Sequence, residues 1–391
     1  MPANELTSQF VFDPWFPAYD ASAVPRMPVR GALFKKFFEP FGGRYNIKPE
    51  DNAALNPGWF KRRYWDYLRK MQQADLYSRA LRSAYVDLVD NPQLNAAVTG
   101  IRKSAFIGVF KGAVWDLGYF FQILLSHPDV LPEVGEPKKQ IKWFDDLSAW
   151  NWSLSVGAAL QSLPRGSGAT LAKGERAVFA GYLTMFALDF VFFHEIGHWC
   201  LGHDKFARKL QKGFGPFVSE TGPCQLPAIP SQLMELQADS FAVIFMVNEW
   251  FSANFGPHSI FKSAGEALLL WSIAMAFTFV LFGQERSREI PSVGVNPHPG
   301  MLQSHPHPSI RLENAHLEAW KIAGLFSRTA VSEFDASWQK GMRAVAEVCN
   351  VLKIPSAVWH ADRDTVERTY RLLCLNGVPM QDDLNKCSRM A

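Results

Sequence analysis

Residues 193–204 read FHEIGHWCLGHD and place three histidines and one glutamate in an otherwise apolar segment. His194 and His198 are four residues apart, so on a helix both rings project from the same face, one turn apart. Glu195 follows the first histidine and completes the pattern H-E-x-x-H. In that pattern two histidines bind zinc and the glutamate acts as general base on a zinc-bound water. The stretch therefore predicts a helix that carries half of a catalytic metal site.

A third protein ligand is expected, because catalytic zinc usually has three protein ligands and one open position. The local candidate is excluded by its spacing. The metzincin pattern H-E-x-x-H-x-x-G-x-x-H needs glycine at 201 and histidine at 204, and these positions hold Leu201 and Asp204. Gly202 and His203 are each displaced by one residue. We expect His203 at or beyond the end of the helix, outside the favoured ligand set.

A distant candidate lies in the segment SQLMELQADSFAVIF, where Glu235 and Asp239 are four residues apart on a second predicted helix. Buried carboxylates without partners are costly, so this pair needs partners. A metal ion bound by Glu235 and a ligand-histidine N–H bound by Asp239 would satisfy both. The sequence therefore predicts one Zn²⁺ ion held by His194, His198 and Glu235.

HEIGH followed by ELQAD resembles the gluzincin zinc metallopeptidases with the motifs HExxH and ExxxD. The resemblance is to the HtpX and CAAX-prenyl-protease-like group, or to a soluble relative such as the phage-exclusion-type peptidases, and it covers about 104–325. It implies an α+β, predominantly α-helical fold, in which a zincin-like metallopeptidase core has a small β-sheet and helical N- and C-terminal extensions. It also implies a protein or peptide substrate and Glu195 as the catalytic acid and base.

The resemblance implies further roles downstream and upstream of the motifs. That group often has a His-Pro followed by an arginine, and this chain offers His305 or His307, each before a proline, and then Arg311. Either histidine is a catalytic candidate as donor to the oxyanion of a tetrahedral intermediate, with Arg311 as substrate or oxyanion support. The strand predicted at 104–112 would suit the substrate-binding edge strand of that fold. The chain lacks the transmembrane pair that those membrane peptidases carry between the two motifs.

The chain divides into three predicted zones. These are an aromatic and basic N-terminal extension over 1–95, the metallopeptidase core over 96–325 and a C-terminal helical region over 326–391. Periodicity and punctuation by glycine and proline predict the elements within them. They are helical structure from about 57 to 90, a strand at 104–112, and helices at 113–127, from near 173 through the histidines, at 231–255, at 263–283 and from Pro308 onward.

Composition limits the classes of protein. With 48% hydrophobic and 20% charged residues, the 391-residue chain is expected to fold into a globular structure, and a net charge of +3 does not favour nucleic-acid binding. Five cysteines without paired spacing indicate a reducing compartment. The first residues do not resemble a secretory signal, so we expect a cytoplasmic protein. Nothing in the sequence indicates an oligomeric state.

Two alternatives remain open. The apolar segment 267–283 has no charge over 17 residues, the lower limit for spanning a bilayer, and would anchor a membrane-associated peptidase. Ser263 and Glu266 form a capping box before it, which favours a buried core helix. The second alternative is a regulatory or interaction protein with a structural or vestigial zinc site, acting through the basic and aromatic segment 58–73. A fourth protein ligand from His203, His305 or His307 would favour it.

Overall fold

The computed structural model describes residues 28–48, 57–101, 104–132, 134–140, 172–210, 218–219, 228–252, 261, 263–289, 306–351, 366, 368–369, 371, 373 and 385–389. The predicted fold class is confirmed, since these residues form a predominantly helical α+β structure with one small sheet. The helices are α1 (Pro28–Phe38), α2 (Pro57–Gln73), α3 (Asp75–Leu81), α4 (Lys111–Ser126), α5 (Glu175–Cys200), α6 (His203–Leu210), α7 (Ala228–Ser252), α8 (Ala264–Glu289), α9 (Pro308–Phe326) and α10 (Arg328–Val351). The strands are β1 (Tyr85–Val89), β2 (Ala96–Ile101), β3 (Ser104–Phe110) and β4 (Val218–Ser219).

The sheet has the strand order β1-β3-β2-β4. β3 pairs in parallel with β1 and antiparallel with β2, and the short β4 adds to the other side of β2. β1 is buried along its whole length, and only the first residue of β3 is partly exposed. Strands buried on both faces are apolar almost continuously, as SAFIGVF is. The sheet is therefore an internal layer of the protein.

The expectation of an edge strand at 104–112 is wrong. β3 ends at Phe110, where α4 begins directly, and it lies between β1 and β2. Both sides of its backbone are consequently occupied by sheet partners, so it offers no free edge to a substrate. Among the described strands, β1 and the short β4 lie at the two edges of the sheet, and β4 pairs with β2.

The helical structure expected up to about residue 90 is also partly wrong, because α3 ends at Leu81 and β1 follows. The segment YVDLV carries Asp87 in its centre, which hides its strand character in the sequence. Asp87 is fully buried, and its carboxylate lies 2.7 Å from both Arg44 Nε and Lys61 Nζ. Two cations from outside the strand thus allow an aspartate inside a buried strand.

Two long apolar helices form the centre of the molecule. α5 packs against α4, α7 and α8, and α8 packs in turn against α10. Glu175–Cys200 and Ala264–Gly283 are long and apolar enough to cross a membrane by length and composition, and 83% of each apolar window is buried inside the protein. Core helices of soluble proteins pass the same test, so membrane association and cellular location remain predictions. Ser263 Oγ accepts from Glu266 N at 3.3 Å, as expected for the start of α8.

The basic and aromatic helix α2 turns its aromatic side chains into the core. Two of its basic residues form ion pairs with buried aspartates. Lys61 pairs with Asp87, and Arg63 pairs with Asp189 of α5 at 2.6 Å. Burial lowers the pKa of Lys61 below its usual value. These ion pairs anchor α2 to β1 and α5, so α2 differs from a freely solvated basic helix.

The three predicted zones remain a prediction. β1, from the predicted N-terminal extension, pairs with β3 of the predicted core. α10, from the predicted C-terminal region, packs on α8 and α9. Described elements of the first and last zones therefore both pack against elements of the predicted core.

Arg176 fixes the start of α5. Its side chain is fully buried and donates to five backbone carbonyls of the turn that follows α4. A planar guanidinium presents five N–H donors, so one side chain can satisfy several carbonyls that burial would otherwise leave without partners. The acceptors are the carbonyl oxygens of Leu125, His127, Val130, Leu131 and Val134, at 2.5–3.2 Å.

Replacing Arg176 by methionine should destabilise the protein strongly, because methionine keeps the bulk of the side chain and removes all of its donors. We expect the free energy of unfolding, measured by urea denaturation, to fall by about 3–5 kcal/mol. Arg328→Met, at the exposed start of α10, is the matched control and should leave stability unchanged. An equal, small effect of the two substitutions would contradict the anchoring role of Arg176.

Candidate metal centre

The candidate site lies where α5 crosses α7. α5 carries the HExxH residues and α7 carries the two predicted acids. The crossing is close at Gly197: a Cβ added there would lie 3.1 Å from Phe241 Cβ and 3.2 Å from Ala238 Cα. A side chain at position 197 would therefore fit only if its neighbours on α7 moved by a few tenths of an ångström. Glycine and alanine at the crossing let the two halves of the site meet.

His194, His198 and Glu235 form a buried cluster whose ligand atoms all lie within 4.8 Å of one another. The Nε2 atoms of the two histidines are 3.0 Å apart. Glu235 lies 3.3 Å from His194 Nε2 through Oε2 and 3.5 Å from His198 Nε2 through Oε1. The three side chains are at most 4% exposed. The structure thus brings together the three residues predicted to hold the metal.

The cluster fits a zinc ion in both geometry and donor type. Ligand atoms about 2.0–2.1 Å from a tetrahedral zinc lie about 3.3 Å from one another. This is close to the separation of the two Nε2 atoms and to the distance from each Nε2 to one Glu235 oxygen. Two imidazole nitrogens and one carboxylate are also a donor set of catalytic zinc sites. Among the described residues, this is the group of histidine, cysteine, aspartate and glutamate side chains placed to share an ion.

Asp239 lies behind His194, as predicted. Its Oδ1 accepts from His194 Nδ1 at 2.9 Å. A proton held on Nδ1 leaves the lone pair of a neutral ring on Nε2, which faces the cluster. Arg311 of α9 donates to both oxygens of Asp239, at 2.8 and 2.6 Å, and all three side chains are buried. A carboxylate held by a guanidinium therefore orients the first histidine.

His203 lies behind the second histidine and does not belong to the three-residue cluster. Its Nδ1 is 2.7 Å from His198 Nδ1, on the side of that ring away from the cluster, and its Nε2 is 3.0 Å from Gln237 Oε1. Burial and the neighbouring His198 lower the pKa of His203 well below its usual value. The ring is therefore neutral near pH 7. His203 contacts the back of His198 and lies outside the three-residue cluster.

Glu195 is fully buried on α5 and follows His194 directly in the chain. In the HExxH arrangement this position faces the open side of the metal without ligating it. Cys200, one turn beyond Ile196, is fully buried as expected for a packing residue, and burial raises the pKa of its thiol to about 12. Cys200 is consequently a neutral thiol at physiological pH.

The three downstream candidates are His305, His307 and Arg311, and the structure describes the last two. His305 lies outside the described residues. His307 caps α9: its Nδ1 accepts from Ser309 N at 3.2 Å, and Pro308 occupies the first helical position, as predicted. Arg311, one turn later, is bound to Asp239 and stacks over the ring of Phe279. The oxyanion roles of the two histidines and of Arg311 remain predictions.

The C-terminal segment holds the far end of α5, a contact that sequence reasoning missed. Arg389 makes a two-pronged ion pair with Asp204 at 2.7 and 2.8 Å and donates to the carbonyl of Trp199 at 2.6 Å. Its backbone N–H donates to the carbonyl of Cys200 at 2.8 Å. The guanidinium also lies 3.5 Å from the centre of the Trp199 indole ring. A cation is favourable there, because the carbonyl end of a helix carries a partial negative charge.

Gln237 and Asn314 are further residues that sequence reasoning missed. Asn314 donates to the carbonyl of Leu236 and to Ser240 Oγ, which joins α9 to α7 beside the two acids. The available signal was the position of Gln237, midway between Glu235 and Asp239 on an apolar helix. A polar residue at such a position needs a partner.

Comparison with known families gives one match. The family described as Peptidase U49 matches residues 136–319, which is less than half of the chain. The matched segment contains the HExxH stretch, both acids of α7 and Arg311. No curated protein and no solved structure matches the chain. The chain is therefore similar to a family of peptidases over the segment that forms the candidate metal centre.

Proposed function

We propose that this protein is a zinc-dependent peptidase of the gluzincin type, which hydrolyses peptide bonds in a protein or peptide substrate. The observation that carries the proposal is the buried cluster of His194, His198 and Glu235, with Glu195 beside it on the same helix. The similarity of the surrounding segment to a peptidase family supports it independently.

In the proposed site, His194, His198 and Glu235 hold one Zn²⁺ ion. When bound, zinc supplies Lewis-acid chemistry, lowering the pKa of a water toward about 7 and polarising a carbonyl. The Glu195 carboxylate takes a proton from the attacking water and returns it to the nitrogen of the departing amine. Asp239 keeps the proton of His194 on Nδ1, so that Nε2 remains available to the metal.

The donor set favours a catalytic over a structural metal site. Structural zinc sites usually close with a fourth protein ligand, whereas catalytic sites keep one position open. Within the described residues the cluster has three members, and His203 contacts the back of His198. The regulatory alternative with a closed zinc site is therefore less well supported than a peptidase.

The decisive substitutions separate metal binding from proton transfer. Glu195→Gln should retain one zinc per chain and lose hydrolysis by about 10²–10⁴-fold, because only the proton acceptor is removed. Glu235→Ala should lose both zinc and hydrolysis. Zinc is measured by elemental analysis after dialysis, and hydrolysis with an internally quenched peptide library.

Glu313→Gln, an exposed substitution on α9, is the matched control and should leave both quantities unchanged. Wild-type rates of hydrolysis in Glu195→Gln would exclude the proposed mechanism. Full zinc content in Glu235→Ala would exclude Glu235 as the third ligand.

Asp239 should affect both zinc affinity and stability, because it joins His194 to the buried Arg311. Asp239→Ala should weaken zinc binding by about 10–100-fold. It should also lower the free energy of unfolding of the metal-free protein by about 3–5 kcal/mol, since the buried Arg311 loses the carboxylate with which it forms an ion pair.

The double variant Asp239→Ala/Arg311→Met removes that charge as well. We expect it to regain part of the lost stability and none of the zinc affinity. The measurements are urea denaturation in the presence of a chelator and competition with a chromophoric zinc indicator. If Asp239→Ala alone is as stable as the double variant, the ion pair does not have the role described.

A further inference from the structure

Two hydrogen bonds connect the surface of α7 to the back of the second histidine of the cluster. Gln237 is half-buried and lines a surface cavity of about 300 Å³, while His203 is fully buried. Gln237 Oε1 faces His203 Nε2 at 3.0 Å, and His203 Nδ1 faces His198 Nδ1 at 2.7 Å. Through His203, these two contacts link an amide to the back of an imidazole.

In the structure the amide oxygen of Gln237 faces His203, and this orientation of the amide decides where the protons along this chain of hydrogen bonds lie. An oxygen accepts only, so His203 must carry its proton on Nε2. A neutral imidazole then has a lone pair on Nδ1, which accepts the proton of His198 Nδ1. The Nε2 of a neutral His198 is left with its lone pair, and this atom lies 3.0 Å from His194 Nε2 and 3.5 Å from Glu235 Oε1.

A donor in place of the amide oxygen would reverse the chain. His203 Nε2 would then accept, Nδ1 would carry the proton, and His198 Nδ1 would have to accept in turn. The proton of His198 would be on Nε2 and would point at the other two ligand atoms. Such a ring cannot bind a metal through Nε2.

We propose that Gln237 and His203 are positioning residues that hold His198 in the tautomer that binds the metal. This inference rests on the proposed function, because it assigns a role to residues that support its metal ligands. The two histidines then have different supports. An aspartate bound to an arginine orients His194, and a neutral ring bound to an amide orients His198.

The fold is built to hold His203 in this place. Gly202 separates α5 from α6 with a φ of +74°, a conformation in which glycine is favoured. A Cβ there would lie 2.0 Å from the carbonyl oxygen of Cys387. Asp204, the next residue after His203, is fixed by the ion pair with Arg389. The turn and the C-terminal segment thus direct the ring of His203 toward His198.

The test compares an acceptor with a donor at position 237. Gln237→Glu keeps an acceptor, and Gln237→Lys offers only a donor. We expect the first variant to bind zinc within about threefold of wild type and the second about 10–100-fold more weakly, as measured by competition with a chromophoric indicator. His203→Phe, which keeps a ring and removes the acceptor, should weaken zinc binding to a similar degree.

The effect of the introduced charge on zinc affinity must be distinguished from the effect of the proton position on His198. Ile244 lines the same cavity and is 38% exposed. Its side chain has no hydrogen-bonding group, so it is not part of the chain from Gln237 to His198. Ile244→Glu and Ile244→Lys therefore introduce the same charges without a change in the chain, and both should bind zinc as wild type does. Wild-type affinity in a folded Gln237→Lys, or an equal loss in Ile244→Lys, would overturn the proposal.

The tautomer is also measured directly. In metal-free protein labelled with ¹⁵N and ¹³C, at a pH above the ordinary imidazole pKa of about 6.5, NMR shifts of the ring show which nitrogen of His198 carries the proton. We expect Nδ1 in wild type and in Gln237→Glu, and Nε2 in Gln237→Lys. A proton on Nε2 in wild type would overturn the proposal. If wild type binds no zinc, the proposed function fails, and this measurement decides alone on the positioning roles.

Discussion

The site depends on one close contact between two helices, the crossing of α5 and α7 at Gly197 and Ala238. Neither helix holds a complete set of ligands: α5 contributes two histidines and α7 contributes a carboxylate. Side chains at the crossing keep helices about 8–10 Å apart, and small residues allow the closer approach. Hydrogen bonds from arginines to backbone carbonyls hold both ends of α5 around this crossing, with Arg176 at its start and Arg389 at its end.

The central part of the fold was predictable because its signals are local. The helical spacing of apolar residues places α4, α7 and the start of α5 within three residues of their observed ends, whereas α8 continues six residues beyond the predicted residue 283. The sheet was predictable only in part. β1 carries a buried aspartate whose partners, Arg44 and Lys61, come from distant parts of the chain. The place of β3 between two other strands follows from pairing with β1 and β2, which no local pattern records.

The same distinction applies to the candidate site. The spacing of four residues placed His194 with His198, and Glu235 with Asp239, on the faces where the structure has them. The supporting residues could not be found in this way. A turn at Gly202 brings His203 to Gln237, and a C-terminal segment covers this turn. That segment is more than 180 residues away in the chain. Contacts of this kind depend on tertiary packing, whereas ligand spacing depends on the geometry of one helix.

The charges around the cluster explain why the two histidines have different supports. Glu195, Glu235 and Asp239 are buried carboxylates, and Arg311 is the buried cation bound to one of them. In their ionised forms these four side chains by themselves carry a net charge of −2, which one bound divalent cation would neutralise. A second carboxylate behind His198 would add a further buried charge without a counterion. In the proposed arrangement His203 and Gln237 fix the orientation of that ring and remain neutral, so this support adds nothing to the charge that a bound metal would have to balance.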